Sequence, residues 1–78
     1  MKAVQIGPFA HTPYQRLTVI QKRQLNRIVW RIARGDLTGT VDRGGGVFSF
    51  SLPGDIFVVV EDRQEIVSIE HIIITQRR

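Results

Sequence analysis

The run Val47-Phe48-Ser49-Phe50-Ser51-Leu52-Pro53-Gly54-Asp55-Ile56-Phe57-Val58-Val59-Val60-Glu61-Asp62-Arg63-Gln64-Glu65-Ile66-Val67-Ser68-Ile69-Glu70-His71-Ile72-Ile73-Ile74-Thr75 decides the fold. Its first six residues alternate strictly, with Phe48, Phe50 and Leu52 on one side and Val47, Ser49 and Ser51 on the other. A period of two is the mark of a strand with one face buried. Pro53-Gly54 then suits a type II turn, with Pro fixing φ at the first central position and Gly allowing positive φ at the second. The stretch from Asp55 to Glu61 is apolar on both faces, which predicts a central strand. Asp62-Arg63-Gln64 turns the chain again. A third strand runs from Glu65 to Thr75 and becomes apolar on both faces at Ile72-Ile73-Ile74. The three runs predict an antiparallel meander.

Upstream, the pattern changes period. At about 100° per residue, Gln21, Leu25, Ile28, Val29 and Ile32 point one way, while Arg23, Arg27, Trp30 and Arg34 form a narrow stripe on the other side. Gly35 is a natural stop, and Arg31 and Arg34 lie where cations oppose the helix dipole. Two starts compete. Thr12-Pro13-Tyr14-Gln15 and Thr18-Val19-Ile20-Gln21 both have the form of a capping box. A short helix over 13–17 that breaks and restarts near 19 is favoured, because Val19 and Ile20 fall off the apolar face. Residues 2–6 predict a short first strand ended by Gly7-Pro8, and residues 37–41 an extended segment. The fold class is therefore α+β in a single domain over 1–78: a short N-terminal strand, one long helical segment with a break, and a three-strand antiparallel meander packed on it. One helix leaves the far side of the sheet uncovered. Phe57, Val59, Val67, Ile69 and Ile73, or their alternates, predict an apolar surplus there, to be met by a second short helix, a protein partner or sheet curvature.

Composition narrows the partners. The chain carries a formal charge of +4, with no cysteine and 42% hydrophobic residues. Disulfides and thiolate metal sites are excluded, and a reducing cytoplasm fits. The N-terminus lacks the apolar stretch of a signal peptide, and no run approaches the ~18 apolar residues of a membrane span. The basic excess suits RNA, DNA or an acidic protein. Arg23, Arg27, Trp30 and Arg34 combine cations with a stacking ring, the pairing that meets phosphate and bases.

Other motifs carry less. Gly44-Gly45-Gly46 lacks the Gly-Lys-Ser/Thr and the following helix of a phosphate loop, and reads as a flexible connection. His11 and His71 are the ordinary general-base candidates. His71 follows Glu70 on the opposite face of its strand, and Glu61 pairs too far from His71 for an acid–base couple. No metal-ligand spacing and no cofactor motif is present.

The segment from about 15 to 73 resembles the RelE/ParE toxin family. The resemblance rests on the basic helix from Gln21 to Arg34, then Leu52-Pro53-Gly54-Asp55-Ile56-Phe57, Val58-Val59-Val60-Glu61-Asp62 and Ile66-Val67-Ser68-Ile69-Glu70-His71. It implies the family's fold. It also implies that ribonuclease activity would need basic side chains where this chain has Ser49, Ser51 and Phe57, and a tyrosine near the end, where this chain closes Ile74-Thr75-Gln76-Arg77-Arg78. Metal-independent RNA cleavage requires a base and cations for the phosphorane charge. Only His71, Arg63, Arg77 and Arg78 remain for those roles.

The expectation is thus a toxin-like inhibitory module that binds a protein or nucleoprotein machine, through Arg23, Arg27, Trp30, Arg34, Arg77 and Arg78 and an apolar sheet surface. An antitoxin or target protein, RNA or the ribosome, and a second copy of the chain are the partners in view. No membrane and no cofactor is expected. The alternatives are an endoribonuclease built on His71 and Arg63, and a viral or mobile-element protein that inhibits a host protein or binds nucleic acid.

Overall fold

The computed structural model describes residues 2–75. The chain order is β1 (Ala3–Ile6), α1 (Pro8–Arg16), α2 (Val19–Ala33), β2 (Val41–Gly44), β3 (Val47–Leu52), β4 (Ile56–Asp62) and β5 (Ile66–Ile74). The strands form one sheet in the order β1-β5-β4-β3-β2. The meander is extended by a strand at each edge. β2 joins β3 antiparallel, and β1 lies parallel to β5. The sheet is therefore mixed, with β4 in the centre as its two-sided apolar pattern predicts.

The helical break occurs as expected, and its cause is local. Thr18 Oγ1 accepts from the Gln21 N–H at 3.1 Å, and Gln21 Oε1 accepts from the Thr18 N–H at 2.9 Å. This capping box starts α2 and leaves Leu17 and Thr18 extended between the two helices. The first helix starts earlier than the Thr12-Pro13 signal implies. Gly7 is its N-cap and Pro8 its first residue, so the Gly-Pro pair both ends β1 and opens α1. Proline at that position lacks only a donor that would be unpaired anyway. Pro13 is then inside the helix, at the cost of one backbone hydrogen bond. Gly7 is held close to β5: its N–H reaches the Ile69 carbonyl at 2.8 Å, and an added Cβ would meet Glu70 Oε2 at 2.8 Å.

Leu25, Val29, Ile32 and Ala33 of α2 are buried against Phe48, Phe50, Leu52, Ile56, Val58, Val60, Val67, Ile69 and Ile72. Each fully buried aliphatic contributes roughly 1.5–3 kcal/mol relative to exposure. Ala10 of α1 and Leu17 at its C-cap complete the core. Val67 and Ile69, placed by simple alternation on the uncovered side, lie on the helix side instead. The reason is a β-bulge. Val60 pairs with Ile69 but Val59 pairs with His71, so Glu70 is an extra residue in β5. The bulge shifts the alternation by one, and Ile72 rather than Ile73 continues the core row.

The glycine run is a hairpin corner rather than a free loop. Gly44 ends β2, and Gly45-Gly46 turns into β3. Gly46 has φ +80° and its carbonyl accepts from the Asp62 N–H at 2.7 Å. At the next corner Gly54 has φ +93°, as the Pro-Gly turn requires.

Candidate functional site

Two surfaces carry the side chains singled out by sequence. The first is the outward side of α2. Arg23, Arg27, Trp30 and Arg34 are all exposed there, and Trp30 shows 40% of its surface. The basic residues Lys2, Arg16, Lys22, Arg23, Arg27, Arg31 and Arg34 all precede Asp36, the first acidic residue of the chain. The helices consequently hold no carboxylate. None of Arg23, Arg27, Arg31 and Arg34 forms an ion pair with a described residue. Arg31 and Arg34 act instead through space on Asp36. Its carboxyl is held below the usual range, chiefly by hydrogen bonding from Thr38 and then by these two guanidinium groups.

A shallow cavity of about 220 Å³ continues this surface toward the sheet, lined by Gln24, Arg27, Ile28, Arg31, Leu52 and Pro53, with Ser51 at its rim. It joins the arginine stripe to the β3–β4 corner. On the sheet face away from α2, Phe57 is half-buried and Ile73 exposed, and Val41 is exposed on the edge strand. This is the part of the expected apolar surplus that stays open.

The second surface is the sheet face away from α2. Ser49, Ser51 and Phe57 all fall on it, together with Val59, Glu61, His71 and Ile73. Because of the bulge, Glu70 and His71 share this face, which corrects their expected separation to opposite sides. Ser68 donates to Glu70 Oε2 at 2.6 Å, and Gln5 Nε2 reaches the same hydroxyl at 3.4 Å. Arg63 Nε donates to Glu61 Oε1, and an Arg63 Nη2 lies 3.8 Å from Glu70 Oε1. The hydrogen bond to Glu61 and the charge of that carboxylate raise the Arg63 pKa above its ordinary value. Arg63 is therefore occupied by two carboxylates. Lys2 is paired with Asp62 nearby.

His71 is exposed and its imidazole hydrogen-bonds to no described residue; its ring stacks on Phe9 with centroids 5.8 Å apart. Glu61 pairs with Ser68 and is not opposite His71, as the register argument expects. Arg77 and Arg78 lie outside the described residues. Sequence reasoning passes over Arg43, whose Nε donates to Ser49 Oγ at 2.9 Å. The only sequence signal for it is its place just before the glycines of the hairpin, since Asp42-Arg43-Gly44 has no apolar alternation.

A search of solved structures finds a chain of the intact E. coli RelBE toxin–antitoxin complex, with a TM-score of 0.78 over 99% of this chain and 100% of that one. The fold is RelE-like. Sequence identity is 11%, so the likeness is one of backbone architecture. No family model matches the sequence, and no curated protein does. Within the RelE-like fold, the positions at which the family resemblance implies basic residues are Ser49, Ser51 and Phe57, and they converge on the single sheet face that α2 leaves open. Among the described residues no helix is long and apolar enough to cross a membrane.

Proposed function

We propose that this RelE-like chain is a toxin-like inhibitory module that acts by binding a protein or nucleoprotein machine. The contact surface is the Arg23, Arg27, Trp30 and Arg34 stripe with the adjoining Arg27–Pro53 cavity, joined by the apolar patch of Phe57 and Ile73 on the opposite sheet face. The observation that carries this reading is the contrast in cation use. The guanidinium groups of α2 are exposed and lack carboxylate partners, while Ser49, Ser51 and Phe57 supply no charge to the sheet face. Unpaired exposed arginines beside a half-exposed Trp have the composition of interface hot spots. A cognate antitoxin would be an acidic protein that neutralises the same stripe.

An endoribonuclease is the second reading, favoured by one observation: His71 stands exposed on the same face as Arg43. Arg63, its proposed cation, is engaged by Glu61 and Glu70. Induced expression in bacteria separates the two. Binding predicts growth arrest with intact RNA, and purified protein that leaves RNA uncut alone or on ribosomes. RNA cutting that His71→Ala abolishes would replace binding with catalysis. A partner unrelated to translation or DNA topology would point to the host-directed inhibitor instead.

A further inference from the structure

The outward side of α2 is not only cationic. Val19 is 64% exposed and Ile20 67%, both in the first turn of the helix and both large aliphatic side chains. At 3.6 residues per turn they share a sector of about 100° with Trp30, Arg23, Arg27 and Arg34. Val19 and Trp30 stand about 16 Å apart along the axis, so apolar side chains flank the arginines toward both ends of the helix. No acidic residue precedes Asp36 in the chain. Asp36 itself, just past the helix, is drawn to Thr38 and to Arg31 and Arg34. The result is a convex face about 22 Å long, on which exposed apolar side chains and exposed, unpaired guanidinium groups interleave.

We propose that this face lies on the surface of an anionic lipid bilayer, with Val19, Ile20 and Trp30 set into the interface and the arginines among the headgroups. Interfacial helices bury apolar side chains about 5–10 Å deep, at the boundary of headgroups and acyl chains. Tryptophan favours that depth, because its ring is apolar and its N–H stays wet. Basic side chains add attraction to a negatively charged leaflet. An RNA backbone would meet the arginines but leave Val19 and Ile20 in water. Lipid headgroups move laterally, so exposed arginines find them without a preset geometry. The contact is with a surface, since α2 has 15 residues and is too short and too charged to cross. It revises the expectation of no membrane, which rests on the lack of a spanning run. It also rests on the reading of the stripe as a contact surface, and the bilayer competes with the macromolecular target for it.

Trp30 is the single tryptophan of the chain, so its fluorescence reports the contact directly. The test is a titration of the full chain with vesicles of equal parts phosphatidylglycerol and phosphatidylcholine, and with vesicles of phosphatidylcholine alone, followed by Trp30 emission and by co-sedimentation. The anionic vesicles shift the emission to the blue and sediment the chain, and brominated acyl chains quench it; the neutral vesicles do none of these. Arg23→Gln weakens binding about fivefold, as loss of one basic side chain at an anionic surface does, and flattens the salt dependence. Ile20→Ser keeps the charge and the salt dependence but weakens binding roughly fivefold to tenfold through lost apolar burial. Val19→Ser acts in the same sense. Arg43→Ala, on the other side of the sheet, changes affinity by less than about twofold, because salt screens charges at that distance. No shift and no sedimentation with the anionic vesicles overturns the proposal. So does binding indifferent to Ile20→Ser and Val19→Ser in variants whose thermal unfolding is native, which would mean charge attraction alone. An equal blue shift with a soluble single-stranded RNA overturns it as well, in favour of a polyanion site. The titration contains no target, so its failure leaves capture of a partner from cells untouched, and failure of that capture leaves the vesicle result standing.

Discussion

On α2, Arg23, Arg27 and Arg34 stand in solvent without a carboxylate among the described residues, whereas on the open sheet face Arg63 is held between Glu61 and Glu70 and Ser68 is closed over by Gln5 and Glu70. Both surfaces are polar, and they differ in what their charges are spent on. The cluster of Arg63, Glu61, Glu70, Gln5 and Ser68 on the sheet face satisfies its own groups, as polar groups around a buried Ser68 must to avoid a desolvation penalty. The helix face leaves its cations exposed and unpaired among the described residues. On the function proposed above, paired charge marks architecture and unpaired charge marks contact.

The widest gap between the surfaces should appear in cells. Arg27→Glu relieves growth arrest on expression while the melting temperature stays native, since the side chain is exposed; Trp30→Ala relieves it too, with a lowered melting temperature because most of the ring is buried. Toxicity untouched by either change would break the division. The next effect is confined to the sheet. Gly46→Ala places a Cβ 2.9 Å from the Asp62 carbonyl at a positive φ, and it should destabilise by about 2 kcal/mol from strain and overpacking together. Gly45→Ala, also at positive φ but in open space, costs less; denaturant unfolding of the two variants measures the difference. Equal losses would mean that the hairpin corner is not held against β4. Thr18→Ala removes the capping box of α2 and should cost about 1 kcal/mol in the same assay, with the break between the helices loosened. Arg63→Ala lowers the melting temperature slightly by leaving Glu61 and Glu70 to face each other, and added salt narrows the loss. Arg27→Ala does neither.

The smallest effect is acid sensitivity after α2. The Asp36 carboxyl is lowered below its ordinary value of 3.8 by Thr38 and the nearby arginines. A depressed carboxyl contributes stability above its unfolded pKa and loses it as pH falls through the folded one. Asp36→Asn should therefore flatten the acid limb of the stability curve below about pH 4, and leave neutral pH almost unchanged.

Much of this architecture is legible in the chain. Strict alternation over 47–52 places β3 to the residue, and the apolar block after the Pro-Gly corner identifies β4 as central. The Thr18–Gln21 box locates the helical break. Three features escape for physical reasons. α1 starts at Pro8 because Gly7-Pro8 reads equally as a strand stop and a helix start. β2 contains Asp42 and Arg43 and is exposed throughout, so no periodicity betrays an edge strand. The Glu70 bulge is invisible because a local sequence does not say where one strand gains a residue on its neighbour, yet that one residue decides which face Val67, Ile69 and Glu70 occupy. The helix stripe is readable from spacing alone. The Arg43–Ser49 tether is not, since it depends on the β2–β3 pairing.

The central claim is that the α2 stripe is the contact surface. It is tested most directly by capture from cells with the native chain and with Arg27→Glu, compared side by side at equal expression. The account predicts one protein or nucleoprotein partner held by the native chain and lost from the variant. The same partner recovered in equal yield by both would contradict it.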